Sequence, residues 1–231
     1  MATIAENLQA VKARIGRAAQ AARRDAGSVR LLAVSKTHPM ARIEEARAAG
    51  QLAFGENYVQ EALEKMDALP QLEWHMIGPL QSNKTRAVAE RFYWVQTVER
   101  GKIAQRLSAQ RPRSLPPLNV LLQVNASGES TKSGAPYSEL ARLAELVASL
   151  PGLRLRGLMA IPEPGAPRER YREVREAFEA LRGPFDLDTL SMGMSDDLEL
   201  AIAEGATMVR IGTAIFGPRS VGSRRNEKSA A

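Results

Sequence analysis

Two features of this sequence could do chemistry. The first is an apolar run, Leu31-Leu32-Ala33-Val34-Ser35, that gives way to Lys36 and then Thr37-His38-Pro39. Lysine is normally exposed, so one reading of Lys36 is a strand that has reached water. The other is an amine held at the mouth of a pocket, where desolvation lowers its pKa and makes it a nucleophile. The second feature is a pair of glycine-bearing strand exits. Ser191-Met192-Gly193-Met194-Ser195 offers Ser191, Gly193 and Ser195, and Ile211-Gly212-Thr213 offers Gly212 and Thr213. Glycine lets the backbone approach an anion closely, and N–H groups at a helix start point at it. Ser195 has a plainer reading as the N-cap of a helix opening at Asp196. Asp196 and Asp197 would then favour the helix's positive end, but would repel a phosphate unless turned outward.

These residues need a frame that brings them together. Eight β-like runs alternate with helical stretches: Arg30–Ser35, Leu52–Gly55, Glu73–Ile77, Tyr93–Thr97, Leu118–Val124, Arg154–Met159, Thr189–Met192 and Met208–Ile211. Helical stripes include Leu140, Leu143, Leu146, Val147, Leu150, and Tyr171, Val174, Phe178, Leu181 after Pro167. An N-terminal stripe of Ile4, Leu8, Val11, Ile15, Ala18 and Ala22 adds one helix before the first strand. The pattern predicts an α/β fold, a single (β/α)8 barrel with an extra N-terminal helix. A doubly wound sheet would normally use fewer strands, and no GxGxxG follows any of these runs. Residues 1–218 read as the barrel and 219–231 as a basic tail with the composition of disorder.

In such a barrel the strand ends converge on one face. There the sequence places Lys36, Asn57, Gly78, Gln123-Val124-Asn125, Met159 and the two glycine loops. An amine and a phosphate cradle on one face suggest pyridoxal 5'-phosphate, its aldehyde on Lys36 and its phosphate at the opposite end. Arg210, within the apolar "MVRIG", faces inward. It either pairs with a barrel carboxylate such as Glu56 or donates to the pyridine nitrogen, which a cation would keep unprotonated. Asn57 either bonds the cofactor's phenolic oxygen or caps the next helix. His75 reads as a satisfied structural histidine, and Met159 and Met192 as packing residues.

Composition narrows the alternatives. Of 231 residues 44% are hydrophobic and 25% charged, as in ordinary globular proteins, and cysteine is absent, which removes disulfide and thiolate-metal chemistry. The net charge of +6 invites a nucleic-acid reading. Half of that excess lies in residues 219–231, where Arg219, Arg224, Arg225 and Lys228 outweigh Glu227. Aromatics are 5%, without the basic-aromatic interleaving that stacks on bases. No run approaches the length of a transmembrane helix, and the N-terminus lacks the continuous apolar core of a signal peptide, so the cytoplasm is expected.

Seven segments in order, "LLAVSKTHP", "FGENYVQEALEK", "WHMIGPLQSNK", "LLQVN", "GLMAIP", "SMGMSDDLELAI" and "VRIGTAIFG", are similar to those of the pyridoxal-phosphate homeostasis (YggS/PROSC) family. The resemblance spans roughly Ala2 to Gly217. It implies one barrel like the N-terminal domain of alanine racemase, with Lys36 as the Schiff-base lysine and Arg210 facing the pyridine nitrogen. It further implies phosphate contacts from Ser195, Gly212 and Thr213, with Asn57 beside the ring and Met192 and Ser191 in the same wall. The function implied is cofactor buffering or delivery to apo-enzymes, with no established reaction.

A two-base racemase needs a second acid/base group opposite the lysine, which its relatives take from an added β domain and the partner subunit. The sequence given leaves 14 residues after Gly217, and His38 has no obvious orienting partner, so a carrier and a monomer are expected. An amino-acid racemase, and a basic barrel that binds nucleic acid or another phosphorylated ligand, remain the competing readings.

Overall fold

The computed structural model describes residues 2–129 and 132–218; the expected tail lies outside the described residues. The chain begins with α1 (Ile4–Ala21). Thr3 caps it in a reciprocal box, its hydroxyl accepting the Glu6 N–H while Glu6 accepts the Thr3 N–H. Eight strand–helix units follow: β1 (Arg30–Val34) and α2 (Met40–Ala48), β2 (Ala53–Glu56) and α3 (Val59–Ala68), β3 (Glu73–Met76) and α4 (Thr85–Arg91), β4 (Trp94–Val98) and α5 (Gly101–Gln110). The second half comprises β5 (Leu118–Val124) and α6 (Leu140–Ser149), β6 (Leu153–Ala160) and α7 (Arg168–Phe185), β7 (Thr189–Ser191) and α8 (Leu198–Ala203), β8 (Met208–Ile211) and α9 (Thr213–Phe216).

The strands form a closed parallel barrel in sequence order, with β8 returning to β1. Every expected strand is present. Six have ends displaced by one residue; the first, for example, stops at Val34, so that Ser35 and Lys36 belong to the following turn. The expected N-terminal stripe is buried from Ile4 to Ala18, while Ala22 lies just past the helix end as its C-cap. Pro167 likewise stands before α7 as its N-cap.

Parallel strands covered by helices are buried on both faces, which is why they read as near-continuous apolar runs. The main core lies between sheet and helices. Inside the barrel, two small apolar clusters pack separately: Leu32 with Ile77 and Met208, and Trp94 with Leu121 and Met159. Between β5 and β6 the register slips after Val120, skipping Arg156 so that Leu121 pairs with Gly157. Only glycine serves there, because a Cβ would come within 1.8 Å of the Thr189 carbonyl oxygen.

Candidate functional site

Parallel pairing sets Leu32 beside Arg210 and Ala33 beside Ile211, so the exits of β1 and β8 emerge together. Lys36 lies half-buried in the turn after β1. Gly212 follows β8 so close to β1 that a Cβ would meet the Val34 carbonyl oxygen at 3.2 Å. The exit of β7 joins them, since the Gly193 carbonyl accepts the Arg210 N–H at 2.9 Å. Gly193 has φ 98, and a Cβ there would lie 2.6 Å from the Ala201 Cβ. Lys36, Gly193–Ser195 and Gly212-Thr213 therefore share one sector of the mouth.

Ser195 does not cap α8. That helix opens at Leu198, two residues later than expected, with Asp197 at the cap position. The Asp197 carboxylate accepts the Met194 N–H and the Tyr171 hydroxyl, each at 2.5 Å. This commits one of the two carboxylates that threatened to repel a phosphate, and burial together with that carboxylate pushes the Tyr171 hydroxyl pKa up. The Ser195 carbonyl accepts from Arg14 of α1 at 2.7 Å, which braces the loop from outside the barrel.

Arg210 is 4% exposed and donates to the Ser191 carbonyl, the Ser191 hydroxyl and the Ala160 carbonyl, each at 2.8 Å. Among the described residues it has no carboxylate partner, so the expected alternative of pairing with Glu56 is corrected. Glu56 is taken by Lys65 instead. Burial pulls the guanidinium down to about 10, which still leaves it charged at neutral pH. Ser191 is fully buried inside the barrel, and Met192 packs in the main core.

Asn57 does not cap α3, whose cap position is Tyr58 without a side-chain bond. It borders a cavity of about 370 Å³ on the β2–β6 side of the mouth, with Thr97, Gln123, Asn125 and Ile161. His38, expected to have no orienting neighbour, packs its ring on Phe216 with centroids 4.8 Å apart.

Behind the Lys36 turn lies a buried ionic cluster that the sequence reading missed. Lys65 of α3 donates to Glu56 at 2.7 Å, to Glu61 at 2.6 Å and to the Ser35 carbonyl at 2.8 Å. The Ser35 hydroxyl donates to Glu56 at 2.6 Å, and Glu61 accepts the Thr37 N–H at 2.6 Å. Burial raises Glu56 to about 7 against the opposing pull of Lys65. A signal was present: Lys65 stands on the apolar stripe of α3 among Val59, Ala62 and Met66, where a cation needs a buried partner.

Comparison with known proteins places this geometry. The model of the family described as alanine racemase, N-terminal domain, matches residues 6–220. The fold of an alanine racemase from Corynebacterium glutamicum superposes with a TM-score of 0.66 at 19% identity, covering 92% of this chain and 61% of that one. The chain belongs to this family, and within it to the pyridoxal phosphate homeostasis proteins. The relative of that name from Pseudomonas aeruginosa is 62% identical over 96% of this chain and 99% of its own length. The one from Escherichia coli K12 is 55% identical over 95% and 98%. PipY of Synechococcus elongatus, solved with PLP bound, superposes with a TM-score of 0.81 at 37% identity, covering 93% of this chain and all of its own.

Proposed function

We propose that this protein binds pyridoxal 5'-phosphate at Lys36 and buffers the cofactor or passes it to apo-enzymes, without turning over a substrate. When bound, the cofactor supplies an aldehyde that a lysine amine captures covalently and reversibly. Lys36 provides the amine, Ser195, Gly212 and Thr213 hold the phosphate, and Asn57 and Ser191 contribute to the surrounding wall, with Met192 packed behind it in the main core. The residues present fit this group, and the observation that carries the reading is Arg210. A buried guanidinium whose hydrogen bonds go to neutral groups, with Asp197 acting on it only through its charge, favours a ligand with an acceptor lone pair, such as an unprotonated pyridine nitrogen. The names of the close relatives and the PLP-bound PipY structure support the same assignment.

Buffering is favoured over racemase chemistry because two candidate proton carriers, one beside the Lys36 turn and one beside the β7 exit, are engaged structurally. The His38 ring packs tilted against Phe216, and the Tyr171 hydroxyl is committed to Asp197. Among the described residues no helix is long and apolar enough to cross a membrane. A monomer in the cytoplasm is part of the proposed reading.

The test is direct. Purified protein mixed with the cofactor should develop a near-visible band that Lys36→Ala abolishes. The loaded protein should reactivate an apo-enzyme while leaving L-alanine in deuterated water unexchanged at Cα. A protein that stays colourless overturns the binding reading; exchange above the free-cofactor rate overturns the carrier reading.

A further inference from the structure

A line of polar side chains crosses the barrel interior between its two apolar clusters. Arg210 donates to the Ser191 hydroxyl at 2.8 Å, and that hydroxyl donates to Gln96 Oε1 at 2.7 Å. Gln96 Nε2 lies 2.9 Å from His75 Nδ1, and His75 Nε2 lies 2.7 Å from Glu73 Oε1. Arg30 completes the line at the opposite end of the barrel, 2.7 Å from the same Glu73 oxygen. Ser191, Gln96 and His75 are each fully buried, so no water repairs a mismatched donor.

Only one arrangement of protons satisfies every link. Glu73 is a carboxylate and accepts, so His75 must carry its proton on Nε2. Its Nδ1 then accepts, which turns the Gln96 amide with Nε2 toward it and Oε1 toward Ser191. That oxygen takes the Ser191 proton and leaves the hydroxyl's lone pairs for Arg210. Flipping the amide would demand a proton on His75 Nδ1, which means either a bare Nε2 against the carboxylate or an imidazolium that full burial disfavours, and it would leave the Ser191 hydroxyl proton without its acceptor. Trp94 holds the imidazole flat from one side, its ring stacked at 5.1 Å and 5°, while Arg156 lies over the same indole at 4.8 Å.

We infer that Gln96 and His75 are positioning residues for Arg210, fixing through Ser191 the direction in which its guanidinium presents donors to the mouth. This deepens the proposed function and rests on the cofactor ring lying against Arg210. The consequence is that occupancy at the mouth is felt at His75, on the far side of Gln96.

The chain has two histidines, which makes imidazole nitrogen NMR of the full-length protein a suitable test. Before ligand, His75 should be neutral with its proton on Nε2. Addition of pyridoxal phosphate should shift both His38, beside Lys36, and His75. In Gln96→Leu the near-visible band and the His38 shift should survive, the His75 response should vanish, and the band maximum and its pH titration should move. A His75 response that persists in this variant, or a bound-cofactor spectrum identical to that of the wild type, overturns the inference. Absence of any band in the wild type would instead sink the binding reading and leave the tautomer test standing. Gln96→Glu supplies that second test without ligand. A carboxylate there can accept from Ser191 but offers no proton to Nδ1, so His75 Nδ1 should move into the protonated range; an unchanged neutral imidazole would refute the linkage.

Discussion

The Lys65 ammonium grips the backbone carbonyl of Ser35 at 2.8 Å, one residue before Lys36. On the other side, Thr37 is fastened through its N–H to Glu61, itself a Lys65 partner. Thr37 stands at φ 65, a left-handed conformation that a β-branched residue adopts only under constraint. The turn carrying the lysine is thus held on both flanks by one buried cation and its carboxylates.

Removing that cation should be costly. Lys65→Met strands Glu56 without its counter-charge, and breaking a buried pair from one side costs about 3–5 kcal/mol. Urea unfolding should show the loss, and cofactor affinity should fall with it as the turn relaxes. Unchanged affinity in a folded Lys65→Met protein would show that the clamp does not serve Lys36.

Glu56 gives the fold a particular response to pH. Its folded pKa of about 7 lies above the ordinary 4.5, so between those values the folded chain holds a proton that the unfolded chain has released. Stability from this group is therefore full below pH 4.5, declines as pH rises, and is lost above 7. The shift corresponds to about 3 kcal/mol at most. Relative to the wild type, Glu56→Gln should gain stability as pH is raised from 5 to 8, measured by denaturation midpoints; a constant difference would remove Glu56 as the titrating group.

Two glycines should behave oppositely. Gly157→Ala thrusts a methyl into the Thr189 backbone at 1.8 Å, and the fold should be lost or crippled. Gly16 lies within α1, where the nearest atom to a new Cβ is 3.9 Å away, so Gly16→Ala should add about 0.5–1 kcal/mol. Thermal melts of the two variants distinguish the positions.

Arg14 reaches from α1 to the Ser195 carbonyl and pairs with Glu199. The exposed ion pair contributes about 0–1 kcal/mol, so Arg14→Ala should barely change the melting temperature. Its effect should be seen in binding, as a several-fold weaker affinity for pyridoxal phosphate with little change for phosphate-free pyridoxal. Equal losses for both would mean that the loop does not hold the phosphate.

Much of this was readable from the chain because burial on both faces leaves long apolar runs, and eight of them separated by helical stripes leave few architectures. The lysine and the glycine loops stood at run ends, where a closed barrel gathers them. Glu56 was legible as a barrel carboxylate but not its partner, because Lys65 arrives from a helix rather than a neighbouring strand. Gln96 and Glu73 gave no signal at all. A glutamine inside "YWVQTV" looks like any outward polar residue until closure of the sheet decides which side is inside. The start of α8 was misplaced because Ser195-Asp196-Asp197 offers three successive cap candidates, and the bond from Asp197 to Tyr171 selects among them only in three dimensions.

The seam between the first and last strands is strapped from outside. Asn7 holds the Ile215 carbonyl at 2.9 Å, Arg42 holds that of Phe216 at 2.7 Å, and Arg24 reaches the carbonyls of Ile202 and Ala206. A wall that parted along β1 and β8 would have to shed these ties first. If the proposed carrier role holds, the cofactor therefore enters and leaves over the rim, between the loops above it, rather than through a parting of the staves.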